Sequence, residues 1–290
     1  MSAHITQRDI AIIMMVYAYE GCTIDHVRGR FFPGRDNGSR SASYRRIAFL
    51  AEQNYLERVR VPSLTGIGSG KALLKVGPAA RPVLAEVLEI PSVKLIRVRR
   101  DSPVVLPHHL ALCDLRTSFE IGCERSAFFV LEEWITEREL RSTKALSYKS
   151  DEGDARFVPD AVFTLKLGDG RTQQFCLEMD MGTMSSKRLR QKLRAYLLSS
   201  LGIPVMFVAL ERARQANILH LTLAESIACG SDSTMVWVAQ KSALIPEAIL
   251  DECVWSVAGG PITSIRQLAG LSQRKQIVSL GSLVFRRKGQ

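Results

Sequence analysis

Apolar residues recur at helical spacing in Ile10, Ile13, Met14 and Tyr17, just after Thr6-Gln7-Arg8-Asp9. The pattern predicts a helix that Thr6 caps, that runs to about Tyr19 and that Gly21 ends. A second helix is expected over residues 23–31, with Ile24, Val27 and Phe31 on one side, closed by a Pro/Gly/Asn-containing loop at 33–38. A third is expected to start near Ser41 and to carry Tyr44, Ile47, Ala48, Leu50 and Ala51 as its apolar set, leaving Arg40, Arg45 and Arg46 on other sides. Two β-like runs, 55–61 and Ala72–Val76, flank a Gly/Ser-rich stretch at 63–70 and predict a hairpin with Lys71 near its tip. Gly77-Pro78 then opens a further helix over about 79–88.

Three helices followed by a hairpin is the winged helix-turn-helix plan. In that plan the third helix enters the major groove and the wing touches the neighbouring backbone. The candidate DNA contacts are therefore Arg40, Ser41, Tyr44, Arg45 and Arg46 on the third helix and Lys71 on the wing. A winged helix used for protein contacts is the competing reading.

The pattern changes after residue 107. Leu112, Leu115, Phe119 and Cys123 predict a helix over 109–124, and three strands are expected at 128–134, 157–165 and 173–180, the last two joined by the tight turn Gly168-Asp169-Gly170. A helix over 185–201 follows, carrying Lys187, Arg188, Arg190, Lys192 and Arg194, and then an apolar strand at 204–210. Helix, three strands, helix, strand is an α/β core of the α+β kind. Its last strand lies most easily beside the third, through the helical crossover. Glu178 and Asp180 are two apart on a strand and face the same side, where Asp160 on the partner strand can join them. Carboxylates in a buried strand are costly unless a cation meets them.

The charge pattern separates the two halves. The 290 residues carry a formal net charge of +10, but residues 1–100 hold 16 Lys and Arg against 8 Asp and Glu, and the remainder 23 against 21. A concentrated positive surface is the footprint of a polyanion partner, because neutralising phosphates releases condensed counterions. With 46 % apolar residues the chain is expected to fold. The apolar run at 10–19 is half the ~20 residues of a bilayer span, and no leader pattern precedes it, so a cytoplasmic protein is expected. The six cysteines never form a CxxC pair, which argues against a zinc site and implies no disulfide. His108-His109 lacks a partner at metal spacing, and Gly66-x-Gly68-x-Gly70-Lys71 lacks the following helix of a phosphate loop.

Pro159-Asp160, then 17 residues, then Glu178-Met179-Asp180 resembles the PD-(D/E)xK signature of the restriction-endonuclease-like fold. With the winged helix ahead of it, the layout resembles the replication-relaxation family, which includes the MOBC class of plasmid relaxases. The similarity lies in Trp134-Ile135-Thr136-Glu137-Arg138-Glu139-Leu140, Pro159-Asp160-Ala161, and Leu177-Glu178-Met179-Asp180-Met181-Gly182-Thr183 followed by Lys192 and Tyr196, and it spans roughly residues 6–210. The resemblance implies a winged helix at 1–91, a linker at 92–107, a nuclease-like domain at 108–230 and an extension of unknown role at 231–290. It implies a metal-dependent endonuclease that nicks one strand at a plasmid or mobile-element origin. Asp160, Glu178 and Asp180 would be ligands of Mg2+ or Mn2+, with Glu137 a further carboxylate. The usual third signature residue is Lys; Asp180 stands there instead, and Lys192 on the next helix would supply the missing cation. The expected partners are double-stranded DNA, single-stranded at the nick, other relaxosome or replication proteins, and a second copy of the chain; no membrane is expected. The alternative is a non-catalytic DNA-binding regulator or replication accessory protein with a degenerate nuclease fold, its acids merely paired with Arg188, Arg190 or Arg194.

Overall fold

The computed structural model describes residues 5–34, 36–60, 72–91, 105–143, 148–149, 156–199 and 202–267. The chain divides into two compact units, Met1–Thr117 and Ser118–Gln290. Both mix helices with sheet, so the fold class is α+β.

In the first unit α1 (Gln7–Ala18) begins at Thr6 in a capping box: the Thr6 hydroxyl accepts from the Asp9 amide at 3.3 Å, and Asp9 Oδ2 takes the Thr6 amide at 2.6 Å. Two orphan amides of the first turn are thus satisfied reciprocally. The helix stops where Gly21 takes φ +108°, and a Cβ there would meet the Leu74 carbonyl oxygen at 3.2 Å. β1 (Cys22–Thr23) and α2 (Ile24–Phe31) follow. α3 (Asn37–Glu52) starts four residues before the expected Ser41, because the Asp36 carboxylate accepts from the Ser39 amide at 2.6 Å and caps a turn that Gly38 alone would weaken. β2 (Leu56–Arg60) and β3 (Ala72–Val76) pair antiparallel, and β1 completes the sheet in the order β1-β3-β2. α4 (Ala80–Val87) follows. Ile12, Ile13, Val16, Val27, Ile47, Leu50, Leu56 and Leu74 form one core. The expected wing tip, 63–70, and Lys71 lie outside the described residues.

α5 (Leu106–Arg125) spans the division between the units. His109, on the helix at 109–124 that the sequence predicts, donates from Nε2 to the Gly21 carbonyl at 2.8 Å, a packing role.

Among the described residues the second unit is built on a seven-stranded sheet. β4 (Phe129–Thr136) leads into α6 (Glu137–Thr143), and a short pair, β5 (Tyr148–Lys149) and β6 (Arg156–Phe157), precedes β7 (Ala161–Leu167). The expected continuous strand at 157–165 is thus broken at Val158-Pro159-Asp160; Pro159 has no amide to give a ladder. β8 (Thr172–Asp180), α7 (Ser186–Leu197), β9 (Val205–Ala209), α8 (Arg212–Cys229) and β10 (Val236–Gln240) continue as a parallel series, β8, β9 and β10 lying side by side. β9 lies beside β8 through the α7 crossover, as the sequence predicts. β11 (Trp255–Val257) and β12 (Ile262–Thr263) add an antiparallel edge, giving the order β12-β11-β10-β9-β8-β7-β4. The described part of the segment beyond residue 230 therefore supplies three strands of this sheet.

One face of the sheet buries Val162, Cys176, Val205, Phe207 and Val238 under Leu189 and Leu193 of α7 and Ile218 and Leu221 of α8. On the opposite face Trp134, Phe163 and Phe175 stack across β4, β7 and β8, with ring centroids 5.4 Å and 5.2 Å apart. Among the described residues no helix is long and apolar enough to cross a membrane.

Candidate functional site

β8 ends at Asp180, and its alternation sends Cys176, Glu178 and Asp180 to the face covered by α7 and α8. Glu178 is only 2 % exposed. It accepts from Lys192 Nζ and from the Tyr196 hydroxyl, two residues one turn apart on α7 that reach the same carboxylate. Asp160, immediately before β7, joins from the neighbouring strand: its Oδ2 accepts the Met179 amide at 2.7 Å, and its carbonyl accepts the Glu137 amide at 2.9 Å.

Burial pushes the Glu178 carboxyl up to about 8; Asp160 adds to the rise, and Lys192, the nearest counter-charge, offsets part of it. Burial also works against the Lys192 ammonium, but the carboxylates of Glu178, Asp160 and Glu137 outweigh it and hold Lys192 above the usual lysine range. Three carboxylates therefore lean on one ammonium. Glu137 has a second partner, Arg141 one turn on, at 2.6 Å.

Asp180 is differently placed. Arg214, in the first turn of α8, grips it with a fork, Nε to Oδ1 at 3.1 Å and Nη2 to Oδ2 at 2.8 Å, while the Gly182 amide gives Oδ1 a further bond at 2.6 Å. Oδ1 thus accepts twice, which uses its two lone pairs. Among the described residues no group of three His, Cys, Asp or Glu side chains is arranged to hold a metal ion. Of the expected three-carboxylate ligand set, Asp180 takes three donors and pairs with Arg214, whereas Glu178 takes two and shares Lys192 with Asp160. Two carboxylates fit Mg2+ or Mn2+, since Mg2+ is commonly held by one or two carboxylates together with waters and substrate phosphates.

The basic run of α7 splits by direction. Lys192 turns inward to Glu178, Arg190 and Arg194 pair with Glu225 of α8 at 3.3 and 2.8 Å, and Lys187 and Arg188 are exposed. Arg214 escaped the sequence reading because it stands 34 residues beyond Asp180; its only local signal is Glu211-Arg212-Ala213-Arg214 opening a helix straight after an apolar strand.

In the first unit Arg40, Ser41, Tyr44 and Arg45 are all exposed along one side of α3, with the Arg40 guanidinium 6.0 Å from the centre of the Tyr44 ring. Arg46 is not with them. Its Nε donates to Asp9 Oδ1 at 2.6 Å, its Nη2 to Oδ2, and its guanidinium lies 4.4 Å over the Phe49 ring. The expectation that Arg46 faces DNA gives way to a structural one: Asp9 is wholly buried and needs the charge. Lys71 lies outside the described residues.

The chain is thus a two-unit α+β protein with an exposed basic helix in one unit and a buried carboxylate cluster in the other. The chain belongs to the replication-relaxation family, whose sequence pattern matches residues 14–198. The match takes in α3, Asp160, Glu178, Asp180, Lys192 and Tyr196, and ends before Arg214. No curated protein and no solved structure matches the chain.

Proposed function

We propose that the chain acts on DNA at a replication or transfer origin, binding duplex through α3 of a winged helix and nicking one strand at the Asp160–Glu178–Lys192 cluster. The observation that carries the reading is the convergence of Asp160 and Glu178, from adjacent strands, on Lys192 of the following helix. That is the acid, acid, cation set of the PD-(D/E)xK signature with its cation moved from strand to helix.

Asp160 and Glu178 would hold Mg2+ or Mn2+, and the ion, when bound, supplies positive charge for the scissile phosphate and lowers the pKa of an attacking water. Lys192 remains a fixed positive charge against the same carboxylates and opposes the charge that builds on the phosphate in the transition state. Tyr196 fixes the second oxygen of Glu178, so that the carboxylate approaches substrate in one orientation. The exposed row Arg40, Ser41, Tyr44 and Arg45 offers two guanidinium forks suited to guanine edges or phosphates.

The test uses supercoiled plasmid carrying the DNA that adjoins the chain's own coding sequence, incubated with Mn2+. Wild type is expected to give open circles, and Asp160→Ala and Glu178→Gln are expected to bind the plasmid without opening it. Tight binding by wild type with no nicking under any divalent ion would overturn the enzymatic part. It would favour the non-catalytic DNA-binding regulator, a reading that the internal pairing of these acids with Lys192 and Arg214 also supports.

A further inference from the structure

We infer that Arg214 is a phosphate contact of this same site and that Asp180 is the residue that positions it; the inference rests on the nuclease-like reading of the cluster. The signature position usually given to a lysine holds an acid here, and that acid does one visible thing: it clamps a guanidinium. Asp180 takes Nε and Nη2, and the Met184 carbonyl takes Nη2 as well at 3.1 Å. This fastens one edge of Arg214 to the strand end and to the loop that follows it. The Nη1 end is bonded by none of the described residues, and the side chain stays 16 % exposed. A guanidinium has five donors, and a carboxylate fork uses only one edge.

The location suits substrate. Asp180 and Ala209 are register partners at the carboxyl ends of the parallel strands β8 and β9, and Arg214 follows Ala209 by five residues. In open α/β sheets ligands bind outside those strand ends. Charge points the same way. The first turns of α7 and α8 contain no acid, and instead carry Lys187 and Arg188, and Arg212 and Arg214. Cations at a helix N-terminus stand against the helix dipole. Their presence on both helices is unfavourable for the free protein and favourable once an anion arrives. Glu211 stands at the N-cap of α8, and Asp180 leaves Arg214 fixed in direction, which an arginine reaching from solvent would not be.

The experiment measures binding of the full chain to poly(dT) and to a random-sequence duplex across a salt series, by fluorescence anisotropy. Removing one cation that touches a phosphate reduces the slope of log K against log salt by about 0.7 on single strands and about 0.9 on duplex. Arg214→Gln is expected to reduce it that much on at least one of the two probes. Because Arg214→Gln leaves Asp180 buried without its counter-charge, the double variant Asp180→Asn/Arg214→Gln, which removes both charges, serves as the folded counterpart and is expected to show the same reduction. Asp180→Asn alone keeps the cation and the slope, but is expected to slow nicking because the fork is loosened. Arg194→Gln, which breaks a pair with Glu225, is the control and keeps the slope. An unchanged slope in a folded double variant, or an equal reduction in Arg194→Gln, overturns the assignment. A wild type that never nicks while Arg214→Gln still lowers the slope would sink the nuclease reading and keep the phosphate contact; a nicking wild type with unchanged slope does the reverse.

Discussion

The two units each bury a carboxylate against a cation, and the two pairs behave in opposite ways. Asp9 in the first unit accepts from four donors, the Thr6 amide, the Thr6 hydroxyl and Arg46 Nη2 on Oδ2 and Arg46 Nε on Oδ1. Burial opposes its charge, but the bonds from Arg46 and Thr6 outweigh burial and hold the carboxyl below the usual aspartate range. Glu178 in the second unit has two donors and a carboxylate neighbour, and its carboxyl is pushed up to about 8. A pair closed by four donors and held below the usual aspartate range is cement: a further cation has little to gain there. An unsaturated one, with Asp160 competing for the same ammonium, stands to gain from a further cation.

The largest effect expected on this contrast is at Arg46. Arg46→Ala strands a fully buried carboxylate and should cost about 3 kcal/mol of first-unit stability, read as faster amide hydrogen exchange in α1 and α3. Its neighbour Arg45 is exposed, so Arg45→Ala should leave stability within about 0.5 kcal/mol while weakening site-specific binding by roughly 1–3 kcal/mol. Equal stability losses at the two positions would erase the distinction between cement and reader.

The pairs should also respond to pH with opposite signs. Asp9 is depressed in the folded state, so its contribution is present above its ordinary value near 3.8 and is lost as pH falls through the lower folded value. Glu178 is raised, from 4.5 to about 8, so its contribution is complete below 4.5 and is lost as pH climbs through about 8. All three tryptophans, Trp134, Trp237 and Trp255, belong to the second unit. Their fluorescence in denaturant, with metal removed by chelator, should therefore report stability falling between about pH 5 and pH 8 for wild type, and a flat profile for Glu178→Gln. A wild-type profile that rises over that window would contradict the placement of Glu178.

The smallest effect belongs to Glu137 and Arg141, an exposed pair at 2.6 Å. Arg141→Ala should change stability by less than about 1 kcal/mol, measured by the same fluorescence. A larger loss would mean that Glu137 belongs to the buried cluster and not to its rim.

Much of this was legible in the sequence, and the limits follow from range. Thr6 as a cap, Ala72–Val76 as a strand and the α7 crossover are local or nearest-neighbour facts, written in spacing that a few residues disclose. α3 began early because one Asp36 side chain outweighed Asn37-Gly38, residues that read as loop. β10 is a five-residue strand with four apolar residues, too short to be assigned until β9 gives it a parallel partner. At the site, strand alternation is what put Glu178 and Asp180 on one face, while Asp160 stands in the break before β7. Which cation meets which acid was hidden, since Asp9 meets Arg46 across 37 residues and Asp180 meets Arg214 across 34. Position in a basic run says nothing of direction, and Arg46 and Arg194 both turn out to face acids within the protein.

The most direct measurement is titration of the full chain with Mn2+, followed by the electron paramagnetic resonance of the free ion. Wild type and Asp180→Asn are expected to remove one Mn2+ per chain from solution, and Asp160→Asn and Glu178→Gln to remove none at the same concentrations. Equal uptake by all four proteins, or a loss confined to Asp180→Asn, would contradict the view that Asp160 and Glu178 form the open cluster and Asp180 the closed pair.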